Sequence, residues 1–294
     1  MAYVVIGGTG QVGSACVQEL LARGERVRVQ SRDPEKHRHQ FPQAEWYRLD
    51  LQRDIPTADF WADVDAMLLV RPPAISDVRR HIVPLLESAR AAGVAHIVFL
   101  SVLGAHRIPM IPHHKIEREI TRLGFTADFL RAGFFMQNLV SPLGDWIREE
   151  RRIVVPAGNG AASFVDARDI GVAAARLLTG EVPLGGRSRR ACVGHDVTGP
   201  RAMTHGEVAS IMSEELGRPI EYTAPGYFEF IRAAVDRGWE KPYARLVARL
   251  YLTIRLGLSQ RVTEDVPTIL GEDPRSMRDF IRDYRDGWLH TVGK

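Results

Sequence analysis

The stretch from Ala2 to Asp33 constrains the fold more than any other part of the chain. The apolar run Tyr3-Val4-Val5-Ile6 stops at Gly7-Gly8-Thr9-Gly10-Gln11-Val12-Gly13. Ala15, Val17, Leu20 and Leu21 follow at helical spacing, Gly24 closes that pattern, and Arg26–Gln30 reads as a second strand. Strand, glycine turn, helix and strand make the first half of a dinucleotide-binding fold. Each glycine has a separate physical reason. One lets the backbone turn tightly, one lets the main chain approach a pyrophosphate on the first amides of the helix, and one lets helix and strand pack closely. Gly8, Gly10 and Gly13 satisfy G-x-G-x-x-G, while Gly7, Gly10 and Gly13 satisfy G-x-x-G-x-x-G. A bare turn with no ligand is the plainer alternative, and the flanking strands and helix argue against it. Gly7, Thr9, Gly10, Gln11, Val12 and Gly13 are therefore the expected cofactor contacts.

The end of the second strand decides between the two nicotinamide dinucleotides. A site for NAD(H) usually places a carboxylate there, bonded to the ribose 2′-hydroxyl. Gln30 and Ser31 stand in that place, Arg32 follows, and Lys36 is close by. A 2′-phosphate would find a charge-assisted partner in Arg32 and a hydroxyl in Ser31, so NADP(H) is preferred over NAD(H). A solvated surface arginine is the plainer reading of Arg32. Asp33-Pro34 reads as a helix cap followed by proline at the first helical position, not as the NAD carboxylate. Asp50 and Leu51, just past a third strand at Ala44–Leu49, are candidates for the adenine end. Val70, Arg71 and Pro72 end the apolar strand Val64–Val70, and such strand ends line the crevice of an open parallel sheet. Arg71 could face a cofactor phosphate or an anionic substrate.

Composition narrows the classes. The chain has 294 residues, 45% of them apolar, a net charge of +3 and two cysteines. That suits a sizeable core, gives no disulfide framework, and is too mildly basic to argue for nucleic acid. Cys16 and Cys192 read as buried free thiols. The N-terminal apolar run is one strand long, so no secretory signal is expected, and no apolar run is long enough to span a membrane. A cytoplasmic protein with a small-molecule substrate, no nucleic-acid or membrane partner, no metal site, and a monomeric or homodimeric state is the expectation.

Farther along, Ile75 to Gly93 reads as a helix that Pro84 kinks or delays to a start near Asp77. Ala95–Ser101 is a buried strand, and Val102–Pro112 a loop on the substrate side. His113 opens a helix that runs to about Leu123 and stops at Gly124, and Ala127–Arg131 is a further strand. The fold class is α/β: a doubly wound parallel sheet with helices on both faces and a smaller mixed C-terminal lobe. The expected division is a Rossmann domain over residues 1–150, with returning segments around 153–180, and a mainly helical substrate lobe over 181–294. In that lobe Arg190–Val193 reads as a strand, and either Asp166 or Asp169 is expected to cap a helix at Ile170–Leu178. Thr204 and Glu207 have capping-box spacing, and Tyr227 to Leu258 reads as helical, broken near Gly238 and Pro242. The stripe Leu246, Val247, Leu250, Tyr251, Ile254 and Leu258 suits packing on the lobe or a substrate wall, with a membrane-surface or dimer helix as alternatives.

Taken together these motifs resemble the NmrA-like family of atypical short-chain dehydrogenases. The matching pieces are the glycine turn, Ser31-Arg32-Asp33-Pro34, Asp50-Leu51, His96-Ile97-Val98-Phe99-Leu100-Ser101, and His113 with Glu117. Leu130-Arg131-Ala132-Gly133-Phe134-Phe135-Met136-Gln137-Asn138-Leu139 and Phe164-Val165-Asp166-Ala167-Arg168-Asp169-Ile170 complete the set. The resemblance runs over about residues 1 to 225 and continues more loosely in the tail. It implies an NAD(P)H-dependent reductase of quinones, azo dyes or triphenylmethane dyes, or a redox-sensing regulator. It also implies that Ser101 and Phe134 lie at the cofactor, and that His113, Phe135, Met136 and Asn138 meet a flat substrate.

The chain has no Tyr-x-x-x-Lys, the acid/base pair of typical short-chain dehydrogenases. Counted from Ser101, the tyrosine place falls at His113 and the lysine place at Glu117, one helical turn apart on a shared face. Carbonyl–alcohol interconversion needs a placed acid, whereas hydride delivery to an acceptor that spreads charge does not. His113, Lys115 and Glu117 are the catalytic candidates. For His113 the alternatives are proton transfer or orientation of the helix; for Lys115 they are a cofactor contact or a solvated side chain. The function expected is an NADP(H)-dependent oxidoreductase acting on a flat electrophile such as a quinone or azo compound. Its rivals are a non-catalytic redox sensor and a reductase or isomerase of one specialised metabolite.

Overall fold

The apolar runs of the N-terminal half form the strands that their periodicity predicts. In the computed structural model, which describes residues 1–182 and 191–289, they are β1 (Ala2–Ile6), β2 (Arg26–Ser31), β3 (Glu45–Arg48), β4 (Val64–Val70), β5 (His96–Val102) and β6 (Thr126–Ala132). Three strands follow, β7 (Phe134–Phe135), β8 (Arg152–Val154) and β9 (Ala161–Val165), then β10 (Cys192–Val197), β11 (Ala202–Thr204) and β12 (Glu221–Thr223). The chain forms two units. The first holds Met1–Ala132, Ala167–Val197 and Asp265–Glu272; the second holds Gly133–Asp166, Thr198–Glu264 and the chain from Asp273.

In the first unit seven strands form one sheet in the order β3-β2-β1-β4-β5-β6-β10. Every neighbouring pair is parallel. β1 and most of β4 are buried, as their unbroken apolar runs require when helices cover both faces of a parallel sheet. One core cluster joins Ile6, Met67, Leu69, Ile97 and Phe99 to Leu86, Ile116 and Ile120 of the covering helices. Asp77 accepts from the Arg80 amide at 3.1 Å and starts a short helix, Val78–His81, after which Val83–Ala91 resumes at Pro84.

The chain leaves this unit at Gly133 and then re-enters it twice. Two physical features draw it back. The helix Ala167–Thr179 packs on the helix Gln11–Ala22 so closely that a Cβ on Gly171 would lie 2.4 Å from the Ala15 Cβ. Strand β10 extends the sheet by pairing with β6 from Cys192 to Val197. It is longer than the expected strand, whose first residue Arg190 lies outside the described residues. Asp128 on β6 ties the two together: its carboxylate lies 2.9 Å from His96 Nε2 on β5 and 2.6 Å from His195 Nε2 on β10. Burial opposes ionisation of Asp128, but the bonds from His195 and His96 prevail and hold its carboxyl below the usual range.

The second unit is built around its own core, in which Met136, Leu139, Trp146, Ile147 and Phe164 meet Phe230, Tyr251, Phe280 and Trp288. β9 pairs antiparallel with β11 and parallel with β7, and β8 pairs parallel with β12. Thr204 and Glu207 form the expected capping box at the start of His205–Leu216. The long helical stretch is two helices, Tyr227–Asp236 and Lys241–Arg255. The second buries Ala244, Val247, Ala248, Tyr251 and Ile254, whereas Leu246, Leu250 and Leu258 of the expected stripe are exposed. Asp169 lies inside its helix, and Asp166 directly precedes it. Among the described residues no helix is long and apolar enough to cross a membrane.

Candidate functional site

The glycine turn of the first unit is packed from within by its own backbone. Gly7 has φ +81°, and a Cβ there would lie 2.9 Å from the Val70 Cβ, so the turn abuts the end of β4. A Cβ on Gly13 would fall 2.2 Å from the Gly7 carbonyl oxygen, a place that no side chain can occupy. The Gly10 amide donates to the Gly7 carbonyl at 3.0 Å and the Ser14 amide to the Gly10 carbonyl at 2.8 Å, which closes the turn and starts the helix. No side chain caps that helix, and its first turn holds no acidic residue. Thr9, Gly10 and Gln11 are exposed while Val12 is buried. The arrangement fits a pyrophosphate: bare amides, a positive helix end, and no side chain in the way.

Gln30 has a role that the sequence did not reveal. Its Oε1 accepts from the Gly7 amide at 3.3 Å and its Nε2 donates to the Leu49 carbonyl at 2.6 Å. It is a strap between the turn and the end of β3, buried to 7% exposure. Beside it, Ser31 is also buried and its Oγ accepts from the Asp33 amide at 3.1 Å. Asp33 occupies the cap position before Pro34 without a side-chain cap bond. Arg32 and Lys36 are exposed, and among the described residues neither has an acidic partner. Asp50 is engaged in its own turn, accepting from the Gln52 amide at 3.1 Å and lying 3.8 Å from Arg53 Nε. Leu51 is in the core.

The second cluster lies on β4, β5, β6 and the helix Pro112–Arg122. Glu117 is buried and fully engaged. Ser101 Oγ donates to its Oε1 at 2.6 Å, and Arg131 grips both carboxylate oxygens, at 3.1 Å from Nε and 2.7 Å from Nη2. Gly194 on β10 leaves space for this guanidinium: a Cβ there would lie 2.2 Å from Arg131 Nη1. Glu117 and Ser101 thus form a structural ion-pair network rather than offering a free acid or base. An arginine inside the apolar strand Thr126–Ala132 was the one available sequence signal for it.

His113 lies one turn before Glu117, its ring stacked on Phe99 at 6.1 Å. Burial, reinforced by the charge of Arg71 and opposed by Glu117, brings its pKa down to about 4. At neutral pH the imidazole is uncharged. His114 Nδ1 lies 3.0 Å from the Ala105 carbonyl. Lys115 is exposed, and two residues on from His113 it lies off the shared face. Arg71 donates from Nη1 to the carbonyls of Pro72 at 3.0 Å, Pro73 at 3.2 Å and Ile75 at 2.6 Å.

The remaining candidates belong to the second unit. Phe134 is half-buried on β7, 5.6 Å from the Tyr251 ring and 6.5 Å from that of Phe164. Phe135 is half-buried, Met136 is in the core, and the Asn138 carbonyl accepts from the Leu143 amide at 3.1 Å. Met136 also lines a cavity of about 230 Å³ with Phe164, Arg201, Met203 and Met277. Cys16 is buried and its thiol pKa is pushed up by burial, first of all; Cys192 is only half-buried, less than expected. Among the described residues no group of three His, Cys, Asp or Glu side chains is placed to hold a metal ion.

Comparison with known proteins adds a pattern to this geometry. The profile of the NmrA-like family matches residues 2–236. The NAD(P)H azoreductase of Xenophilus azovorans is 30% identical over 288 residues, covering 95% of this chain and 96% of that protein. Among solved structures, the Citrobacter sp. triphenylmethane reductase complexed with NADP(H) is similar with a TM-score of 0.82 and 22% identity, covering 96% of this chain and 99% of that one. The Escherichia coli NADPH-dependent quinone oxidoreductase complexed with NADPH gives a TM-score of 0.83 at 19% identity, with coverage of 96% and 99%.

Proposed function

The chain belongs to the NmrA-like family, and on that premise we propose that it is an NADP(H)-dependent reductase of flat electrophiles such as quinones or azo compounds. The observation that carries the reading is the state of the replaced acid/base pair. His113 is neutral at physiological pH and Glu117 is consumed by Arg131 and Ser101. Neither is matched to donate a proton to an alkoxide, so the reaction served is one whose acceptor carries its own charge. A bound reduced nicotinamide supplies the hydride. The chain's own residues bind and orient. The bare amides after Gly10 hold the pyrophosphate, while Ser31, Arg32 and Lys36 hold the 2′-phosphate. The azoreductase relative and the two reductase structures support a redox role over an isomerase.

The test is NADPH oxidation with a panel of quinones, azo dyes and simple ketones. Turnover of the conjugated acceptors and not of the ketones is expected. Tight NADP binding without turnover of any acceptor would overturn the enzyme reading in favour of a redox sensor. The cofactor assignment has a separate check. Arg32→Ala should raise the Kd for NADPH by about ten- to a hundredfold, the range of a lost charged hydrogen bond, and change that for NADH little. Equal losses would remove Arg32 from the 2′-phosphate.

A further inference from the structure

We propose that Arg71 selects the acceptor by charge: the site takes electrophiles that are anionic, or that become oxyanions on reduction, and disfavours cationic ones. The inference rests on the reductase reading and names its substrate class.

Arg71 directly follows β4, at the edge against which the glycine turn packs. Its side chain is not free to swing away, because Nη1 is held by the carbonyls of Pro72, Pro73 and Ile75. A loop staple alone would account for that one nitrogen. It does not account for the rest of the group. The Nε is buried with no hydrogen-bond partner, and among the described residues no carboxylate pairs with the guanidinium. A half-buried cation without a counter-ion is costly. Arg176 and Arg218 share the unpartnered Nε and the carbonyl acceptors, and what sets Arg71 apart is its place at the end of β4 against the glycine turn, where a ligand can supply the partner. The contrast is Arg131, an arginine of the same sheet whose guanidinium is fully answered by Glu117.

The direction of the charge identifies the ligand. Arg71 acts electrostatically on His113, at the start of the helix Pro112–Arg122. Register agrees: Val70 pairs with Leu100 on β5, so Arg71 ends its strand beside Ser101, which bonds Glu117, and away from the 2′-phosphate residues Ser31, at the end of β2, and Arg32 just past it. A quinone takes up a hydride, two electrons and one proton, from the reduced nicotinamide, which is oxidised. The product is a hydroquinone monoanion, which gains its second proton from water. The charge that forms on oxygen is stabilised by a fixed guanidinium with no reorganisation, and no protein acid is required. A cationic acceptor meets repulsion from the same group before it reacts.

The test is calorimetric titration of the NADP⁺-loaded protein with 1,4-naphthoquinone-2-sulfonate and with crystal violet, alongside kcat/KM for both and for neutral 1,4-naphthoquinone. The sulfonate should bind about tenfold or more tighter than the cation. Arg71→Met should abolish that order, and Arg71→Lys, which keeps the charge, should preserve it. In the wild-type protein, salt should weaken the sulfonate and strengthen the cation, a reading that needs no variant to fold. The proposal is overturned if Arg71→Met leaves the order intact, if salt moves both ligands alike, or if the variant weakens NADPH and every acceptor equally. Charge-ordered binding without turnover would sink the reductase reading and leave the charge selection standing; turnover without charge order would do the reverse.

Discussion

Two histidines near helix starts have the same lowered pKa, chiefly through burial, in different surroundings. His113 in the first unit and His205 in the second are each brought down to about 4. His113 is set among charges: Arg71 acts on it, and Glu117 with Arg131 lies one turn along its helix. His205 is 1% exposed and its cage is aromatic, with Phe164 at 5.3 Å and Tyr222 and Tyr251 at 5.5 Å. Both of its ring nitrogens are without a hydrogen-bond partner. A perturbed pKa alone would nominate both as site residues. The surroundings separate them: charge that the protein leaves unanswered marks the first, and apolar packing explains the second.

The comparison can be broken most forcefully at Glu117. Glu117→Ala strands the Arg131 guanidinium and should cost about 3–5 kcal/mol of stability, whereas Glu117→Gln keeps the shape and should cost less. Equal denaturation midpoints for wild type and the alanine variant would show that the network is not structural. Next comes the acid response of His205. Its folded pKa of about 4 lies below the ordinary 6.5, so the unfolded chain binds the proton more tightly. The contribution is complete above about pH 6.5 and is lost as the pH falls toward 4, about 3 kcal/mol by linkage. His113 acts with the same sign, since its pKa is also depressed. His205→Phe should flatten part of the slope of stability between those pH values and leave the His113 part; urea melts across that range will show whether it does. The smallest effect is expected at His113 itself. His113→Gln should lower kcat by less than about tenfold, below the 10²–10⁴ typical of a general acid. A larger loss, with a matching change in the pH profile, would make it the proton donor after all.

Much of the first unit is legible in the sequence. The glycine turn, the polar end of β2 and the strand ends lie within a few residues of one another, and short-range geometry governs them. Capping at Thr204, the break at Pro84 and the split between Asp236 and Lys241 were readable for the same reason. What escaped were pairings over long sequence distance. Gln30 stands where an NAD(H) site places its carboxylate, and only the structure shows that its bonds run to Gly7 and Leu49. Leu246 and Leu250 fit a helical stripe, but only packing shows that the neighbouring face, Val247 and Tyr251, is the buried one.

The division is physical. Sequence by itself determined the dinucleotide-type turn, the doubly wound class and the absence of the Tyr-x-x-x-Lys pair, because backbone sterics and local periodicity act along the chain. Only the tertiary structure decided that Glu117 is spent on Arg131, fourteen residues away, and that Asp128 meets His195, sixty-seven residues away. Sheet register makes those contacts, and no local rule encodes which side chain a register will bring opposite another.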